Sequence, residues 1–215
     1  MKIAVLFFLL LAPSLTMAQV VPEPPDEGSA GATPNETATV IADTATPGQI
    51  IPDDETPEAR LDRLFGALAN AEGDAADRIA DEITSVWARS GSASMDLLLQ
   101  RARAATGEKS YDKARAHVSA LTRLAPDFAE GWNASATLYF IQEGYWLSVE
   151  HIQKTLELEP RHFGALAGLA LILERTDRDA AALRTWEKVK ALFPGMESAQ
   201  EAIDRLKPDV DGKKT

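Results

Sequence analysis

Residues 129–160 read AEGWNASATLYFIQEGYWLSVEHIQKTLELEP, two runs with apolar residues at helical spacing, parted at Gly144 and closed by Pro160. The plan recurs on both sides, because Pro126, Pro160 and Pro194 stand 34 residues apart. A fixed period of this length marks stacked helix-turn-helix units, none of which buries its apolar face alone. With units beginning at Leu61, Met95, Ala129 and Phe163, position 4 is Leu64, Leu98, Trp132 and Leu166. Position 8 is Leu68, Ala102, Ala136 and Ala170, and position 11 is Ala71, Ala105, Tyr139 and Leu173. Offsets of four and three put these on one face of a first helix. A second helix carries position 20 (Ala80, Ala114, Ser148, Ala182), position 24 (Thr84, Val118, Ile152, Trp186) and position 27 (Trp87, Leu121, Thr155, Val189). Small residues at 8 and 20 suit the closest approach of two antiparallel helices. Proline at position 32 then stops the second helix, since its ring clashes with a preceding helical turn and it donates no backbone hydrogen bond.

This pattern resembles the tetratricopeptide repeat. Trp132, Ala136, Tyr139, Ser148, Ile152, Thr155 and Pro160 stand where that family has its signature residues. The unit from Phe163 matches through Leu166, Leu169, Ala170, Leu173, Ala182, Trp186 and Pro194, and the unit from Met95 through Leu98, Ala102, Tyr111, Ala114, Val118 and Pro126. The unit from Leu61 is degenerate: it ends in Ser92 instead of proline and puts bulky Trp87 at a usually small position. Arg101 and Ser135 also replace the usual leucine at position 7. The expectation is an all-α solenoid of about four repeats, 61–94, 95–128, 129–162 and 163–196, within a folded domain spanning 57–207.

The domain is expected to open at Thr56 as N-cap with Pro57 as first helical residue. Gly73-Asp74, Gly107-Glu108, Glu143-Gly144 and Thr176-Asp177 mark the turns within units. Residues 197–207, with Ala199, Ile203 and Leu206 on one face, read as a helix capping the last unit, ended by Pro208. Residues 208–215 read as a flexible tail.

Two segments precede the domain. Residues 1–18 have a positive Lys2, an apolar run from Ile3 to Leu15 and the small-x-small triplet Thr16-Met17-Ala18, the plan of a cleavable export signal. The apolar run is shorter than the ~20 residues that span a bilayer as helix, which favours removal over anchoring. Residues 19–56 hold eight acids, no Lys or Arg and no aromatic residue, and cannot bury enough apolar surface to order themselves. They read as a disordered acidic linker, serving as a solvated spacer or as an arm that recruits a basic partner, with Val40-Ile41 and Ile50-Ile51 as docking points.

The formal charge of -11 becomes -12 once Lys2 is removed, split as -8 for residues 19–56 and -4 for the remainder. This balance argues against nucleic acid and anionic lipid surfaces as partners. Cysteine is absent, which excludes thiol catalysis, thiolate metal sites and disulfides. No phosphate-binding glycine motif occurs. His117 and His151 both fall at position 23 of their units. Stacked layers place such residues roughly 10 Å apart, too far for one metal. His162 reads as a turn residue, and Asp77, Asp81 and Glu82 as a solvated helix face. No catalytic, cofactor or metal site is expected.

Recognition remains. The resemblance implies that first helices line a concave groove through positions 2, 5, 9 and 12. Those positions supply apolar anchors at Leu99, Phe140 and Leu171, hydrogen-bonding groups at Arg103, Asn133 and Thr137, and bordering acids such as Glu174. Position 5 holds Phe65, Leu99, Asn133 and Ala167, so the basic carboxylate clamp of chaperone-binding members is missing. The expected ligand is an apolar peptide segment of some basic character from another protein of the cell envelope, in the periplasm. Trp146, at the start of a second helix, either anchors a contact or lies against the turn beside Tyr145. The competing reading is a self-associating adaptor, built through Trp146 or an uncovered first unit around Trp87.

Overall fold

The computed structural model describes residues 55–212. The expected signal segment, the linker up to residue 54 and residues 213–215 lie outside them. The described residues form α1 (Pro57–Leu68), α2 (Gly73–Trp87), α3 (Ala93–Gly107), α4 (Tyr111–Leu124), α5 (Ala129–Ile141), α6 (Tyr145–Leu158), α7 (Phe163–Arg175), α8 (Asp179–Leu192) and α9 (Glu197–Gly212), with no strand among them. None of these helices is long and apolar enough to cross a membrane.

Three hairpins, α3–α4, α5–α6 and α7–α8, stack in chain order, and α9 covers α8. The small residues meet where the helices come closest. Ala102, Ala136 and Ala170 are buried opposite Ala114, Ser148 and Ala182, and the Ser148 hydroxyl donates to the Ala136 carbonyl at 2.9 Å. Each hairpin turns in the same way. Lys109, Glu143 and Asp177, all at position 15, adopt left-handed backbone with φ of 59°, 59° and 56°. The next N–H then reaches back to the carbonyl at position 11: Ser110 to Ala105, Gly144 to Tyr139 and Arg178 to Leu173, at 2.8, 2.9 and 2.9 Å. This closure satisfies carbonyls that the helix end would leave without partners. Gly144 itself, one position later, has φ -77°.

The first hairpin departs from that plan. Thr56 does cap α1, its hydroxyl accepting from the Ala59 N–H at 3.2 Å, and Pro57 follows. But α1 ends at Leu68, the chain turns through 69–72, and Gly73, with φ +53°, is already inside α2. The hairpin does not stack on α3. Past Ala88 the chain bends at Gly91 (φ +81°), a bend held by Asp96, whose carboxylate accepts from the Ser90 N–H and hydroxyl at 2.7 and 2.6 Å. The apolar face of α1–α2 packs instead against the N-terminal end of α7 and the turns flanking the α7–α8 hairpin. Trp87 stacks on His162 with ring centres 4.2 Å apart, and its indole N–H donates to Glu159 at 3.2 Å. Phe65 and Trp87 both touch Phe163, and Arg161 pairs with Asp62 at 2.6 Å while lying over the Phe65 ring. Leu61, Leu64, Ile83 and Trp87 therefore share one core with α7, α8 and α9, while α3, α4 and one face of α5 (Ala134, Leu138) form another.

Gly195 shows how close this contact is. A Cβ there would lie 2.9 Å from the Ala76 Cβ and 3.3 Å from the Phe193 ring. Gly195→Ala is expected to destabilise the protein by about 1–3 kcal/mol, because neither a backbone turn nor an alanine can yield. A Cβ at Gly66, inside α1, meets nothing within 4 Å. Gly66→Ala should be neutral or stabilising by up to about 1 kcal/mol. Urea midpoints of the two variants check this; a Gly195→Ala midpoint equal to wild type would refute the close packing.

The end of the chain also corrects the sequence reading. Instead of stopping at Pro208, α9 continues to Gly212. A proline removes a backbone hydrogen bond from a helix interior. Here the exposed Pro208 lies away from the packed side, and buried Val210 holds the last turn against the core.

Candidate functional site

The first helices α3, α5 and α7, expected to form the inner wall, lie side by side, and between them stands a buried carboxylate. Glu130, in the first turn of α5, is surrounded by polar partners. The Asn133 amide donates to it at 3.0 Å, an Arg103 Nη2 pairs with the same oxygen, and His162 Nε2 lies 2.8 Å from the other oxygen. His162 caps α7: its Nδ1 accepts from the Ala165 N–H at 3.1 Å. With Nδ1 accepting, the ring proton sits on Nε2 and is donated to Glu130. Burial alone would raise the Glu130 pKa, but the hydrogen bond from His162, the Arg103 guanidinium and the Asn133 amide outweigh it and bring it from 4.5 to about 2. Trp87 lies flat on His162 and roofs this cluster.

The candidate groove residues divide accordingly. Leu99 is 2% exposed, inside the α3–α4 core, which withdraws it from any ligand. Phe140 is also buried, with the Arg175 guanidinium over its ring at 5.4 Å and Tyr145 beside it. Arg103 and Asn133 converge on Glu130, and the Arg103 side chain stays 49% exposed. Thr137, half-buried one turn further along α5, donates its hydroxyl to the Asn133 carbonyl at 3.0 Å. Leu171 is half-buried against the core shared with α1–α2. Glu174 accepts from the Trp186 indole at 2.6 Å and pairs with Arg205 of α9 at 2.7 Å, so it ties α7 to the end of the stack.

Several sequence expectations change here. His162 is not a plain turn residue: it is a buried helix cap that joins α7 to α5. The first unit is not uncovered around Trp87, because α7 buries that indole. Trp146 does not lie against the turn. It is 81% exposed, on the solvent side of the first turn of α6, while Tyr145 takes the inward place beside Phe140. The ring of His151 meets Trp132 and Tyr139 edge-on, each at 5.2 Å, and burial lowers its pKa. Among the described residues no three His, Asp or Glu side chains converge as metal ligands.

No family model matches the chain. A TPR repeat-containing protein of Rhizobium etli is 40% identical over 161 residues, covering 74% of this chain and 79% of that one. Among solved structures, the TPR2B domain of yeast Sti1 in complex with an Hsp70 peptide covers 57% of this chain and 99% of its own at 18% identity and a TM-score of 0.49. The assembly chaperone of RpL4, Acl4, covers 74% of this chain and 59% of its own at 17% identity and a TM-score of 0.39. Identity of 40% across most of a repeat protein, joined to hairpins that recur every 34 residues and close with one turn geometry, shows that the chain belongs to the tetratricopeptide repeat family of protein-interaction scaffolds.

Proposed function

We propose that this protein is an exported, non-catalytic scaffold that holds a peptide segment of another envelope protein along the wall of α3, α5 and α7. The observation that supports it best is Arg103. Among the described residues one of its nitrogens is anchored on buried Glu130, while the other donors belong to a side chain that stays half exposed on the wall that also carries Asn133 and Thr137. Those remaining donors suit the carbonyls of an extended chain, and Leu171 adds apolar contact. The net charge of -4 over residues 57–215 favours a segment of some basic character. Export rests on Lys2, the apolar run to Leu15 and the Thr16-Met17-Ala18 triplet; sequencing the protein from a periplasmic extract should find Gln19 first.

The wall is tested by photo-crosslinking in cells from position 137, set against position 119 on the exposed face of α4. The same partner band should appear from 137 and not from 119. Bands from 119 alone would place recognition on the outer face.

Self-association through Trp146 is a second reading, favoured by its exposure together with that of Leu147 and Ile141 at the same hairpin end. Light scattering across a concentration series decides it, a constant monomer mass excluding the adaptor.

A further inference from the structure

Stacking repeats hide the same face of each first helix under the hairpin before it. On α5 that face is positions 3, 6 and 10, Gly131, Ala134 and Leu138; on α7 it is Ala165, Gly168 and Ile172, and all six are buried. The matching residues of α3 are Leu97, Gln100 and Ala104, all exposed, with Leu97 at 44%. Position 7 follows suit: Ser135 is buried, Leu169 half-buried and Arg101 exposed. The second helix behaves alike. Leu192 of α8 borders a cleft of about 410 Å³ with Leu156 and Pro160 of the preceding hairpin. Its counterpart on α4, Leu124, is 59% exposed next to Arg123. The hairpin that repeat order would seat here is committed elsewhere, since Ala76, Ala80, Ile83 and Trp87 of α2 are buried against the far end of the stack.

We propose that this open end of α3–α4 seats an acidic amphipathic helix from a partner protein, laid across Leu97, Arg101 and Leu124 as a preceding repeat would lie. Repeat geometry calls for a helix, because α4 and α6 cover the equivalent faces of α5 and α7. Charge selects its acidic character. Residues 93–124 carry six basic groups (Arg101, Arg103, Lys109, Lys113, Arg115, Arg123) and three acidic ones (Asp96, Glu108, Asp112), a net +3 in a chain of net -11. Arg101 and Arg123 flank the two leucines, so a glutamate-bearing helix gains pairs at its rim while its apolar stripe covers the leucines. The same arginines oppose the stacking of two copies end to end. This surface is distinct from the inner wall and stands or falls independently of peptide binding there.

The test uses the full chain and a fluorescent helical peptide of about four turns, leucine on one face and glutamate on the other, beside a counterpart with lysine for glutamate. The glutamate peptide is expected to bind and to crosslink from a benzophenone at position 124, while the lysine peptide does not bind. Arg101→Glu with Arg123→Glu, both at exposed positions, should weaken binding by about tenfold or more. Arg115→Glu, on the side facing Gln142, should leave it within about twofold. No binding, equal binding of both peptides or an unaffected double variant overturns the proposal. So does a benzophenone that yields only crosslinked dimers or links within its own chain, which would name a second copy or the protein's own N-terminal part as the occupant.

Discussion

Trp87→Ala is expected to lower the folding free energy by about 3–5 kcal/mol, the usual range for emptying an aromatic site in a core. Its ring stacks on His162, touches Phe65 and Phe163, and donates to Glu159, so one truncation removes most of what fixes α2 to α7. The loss should be uneven. The hairpin joins α3 through residues 88–92 alone, whereas α3 to α9 keep their own successive contacts. Besides any cut before residue 57 that wild type shares, limited proteolysis should therefore add early cuts in the variant between residues 57 and 92 and leave a helical remainder. Trp146→Ala, at a side chain that is nearly bare, should change stability by less than about 0.5 kcal/mol. A Trp87→Ala protein with the wild-type digestion pattern and urea midpoint would show that the fold-back contact does not hold the hairpin.

Glu130→Gln should cost about 2–3 kcal/mol at pH 7, since it removes the charge that Arg103 and His162 address and leaves their donors short of an acceptor. The pH dependence follows from the direction of the shift. The folded-state pKa, about 2, lies below the unfolded value near 4.5, so the stabilisation is complete above pH 4.5 and is lost as pH falls towards 2. Across that interval it amounts to about 3 kcal/mol. Other carboxylates titrate in the same range, so the informative quantity is the difference between wild type and variant. That difference, measured by urea unfolding at pH 7 and pH 3, should shrink on acidification. A constant gap would mean that Glu130 is not held ionised by its partners.

Much of the architecture was legible because it is local and repeated. The 34-residue spacing of prolines, the small residues at positions 8 and 20 and the Thr56-Pro57 cap each act through neighbours a few residues away, and each appears in the structure in its expected role. The wall was less legible. Leu99 and Phe140 have the sequence pattern of ligand anchors yet are core, because an apolar residue on a helix looks the same whether it faces a ligand or the next helix. In the sequence Glu130 is one more position-2 acid bordering the groove and His162 a turn residue, and only stacking α5 under α7 brings them to 2.8 Å. A faint sign lay in the sequence, since Glu130 repeats the position-2 acids Asp62 and Asp96 but sits among the small and apolar residues Ala129, Gly131 and Trp132.

The repeat units, their two-helix form and their family were determined by the sequence itself, because the 3.6-residue helical period and the turn chemistry are properties of short segments. Where the first hairpin goes was not. Its apolar stripe fits a stack in either place, and the choice between α3 and α7 turns on contacts 72 to 99 residues apart, Trp87 with Glu159 and Asp62 with Arg161. Only the closed tertiary structure sets such distances, and with them it decides which end of the stack is roofed and which is left open.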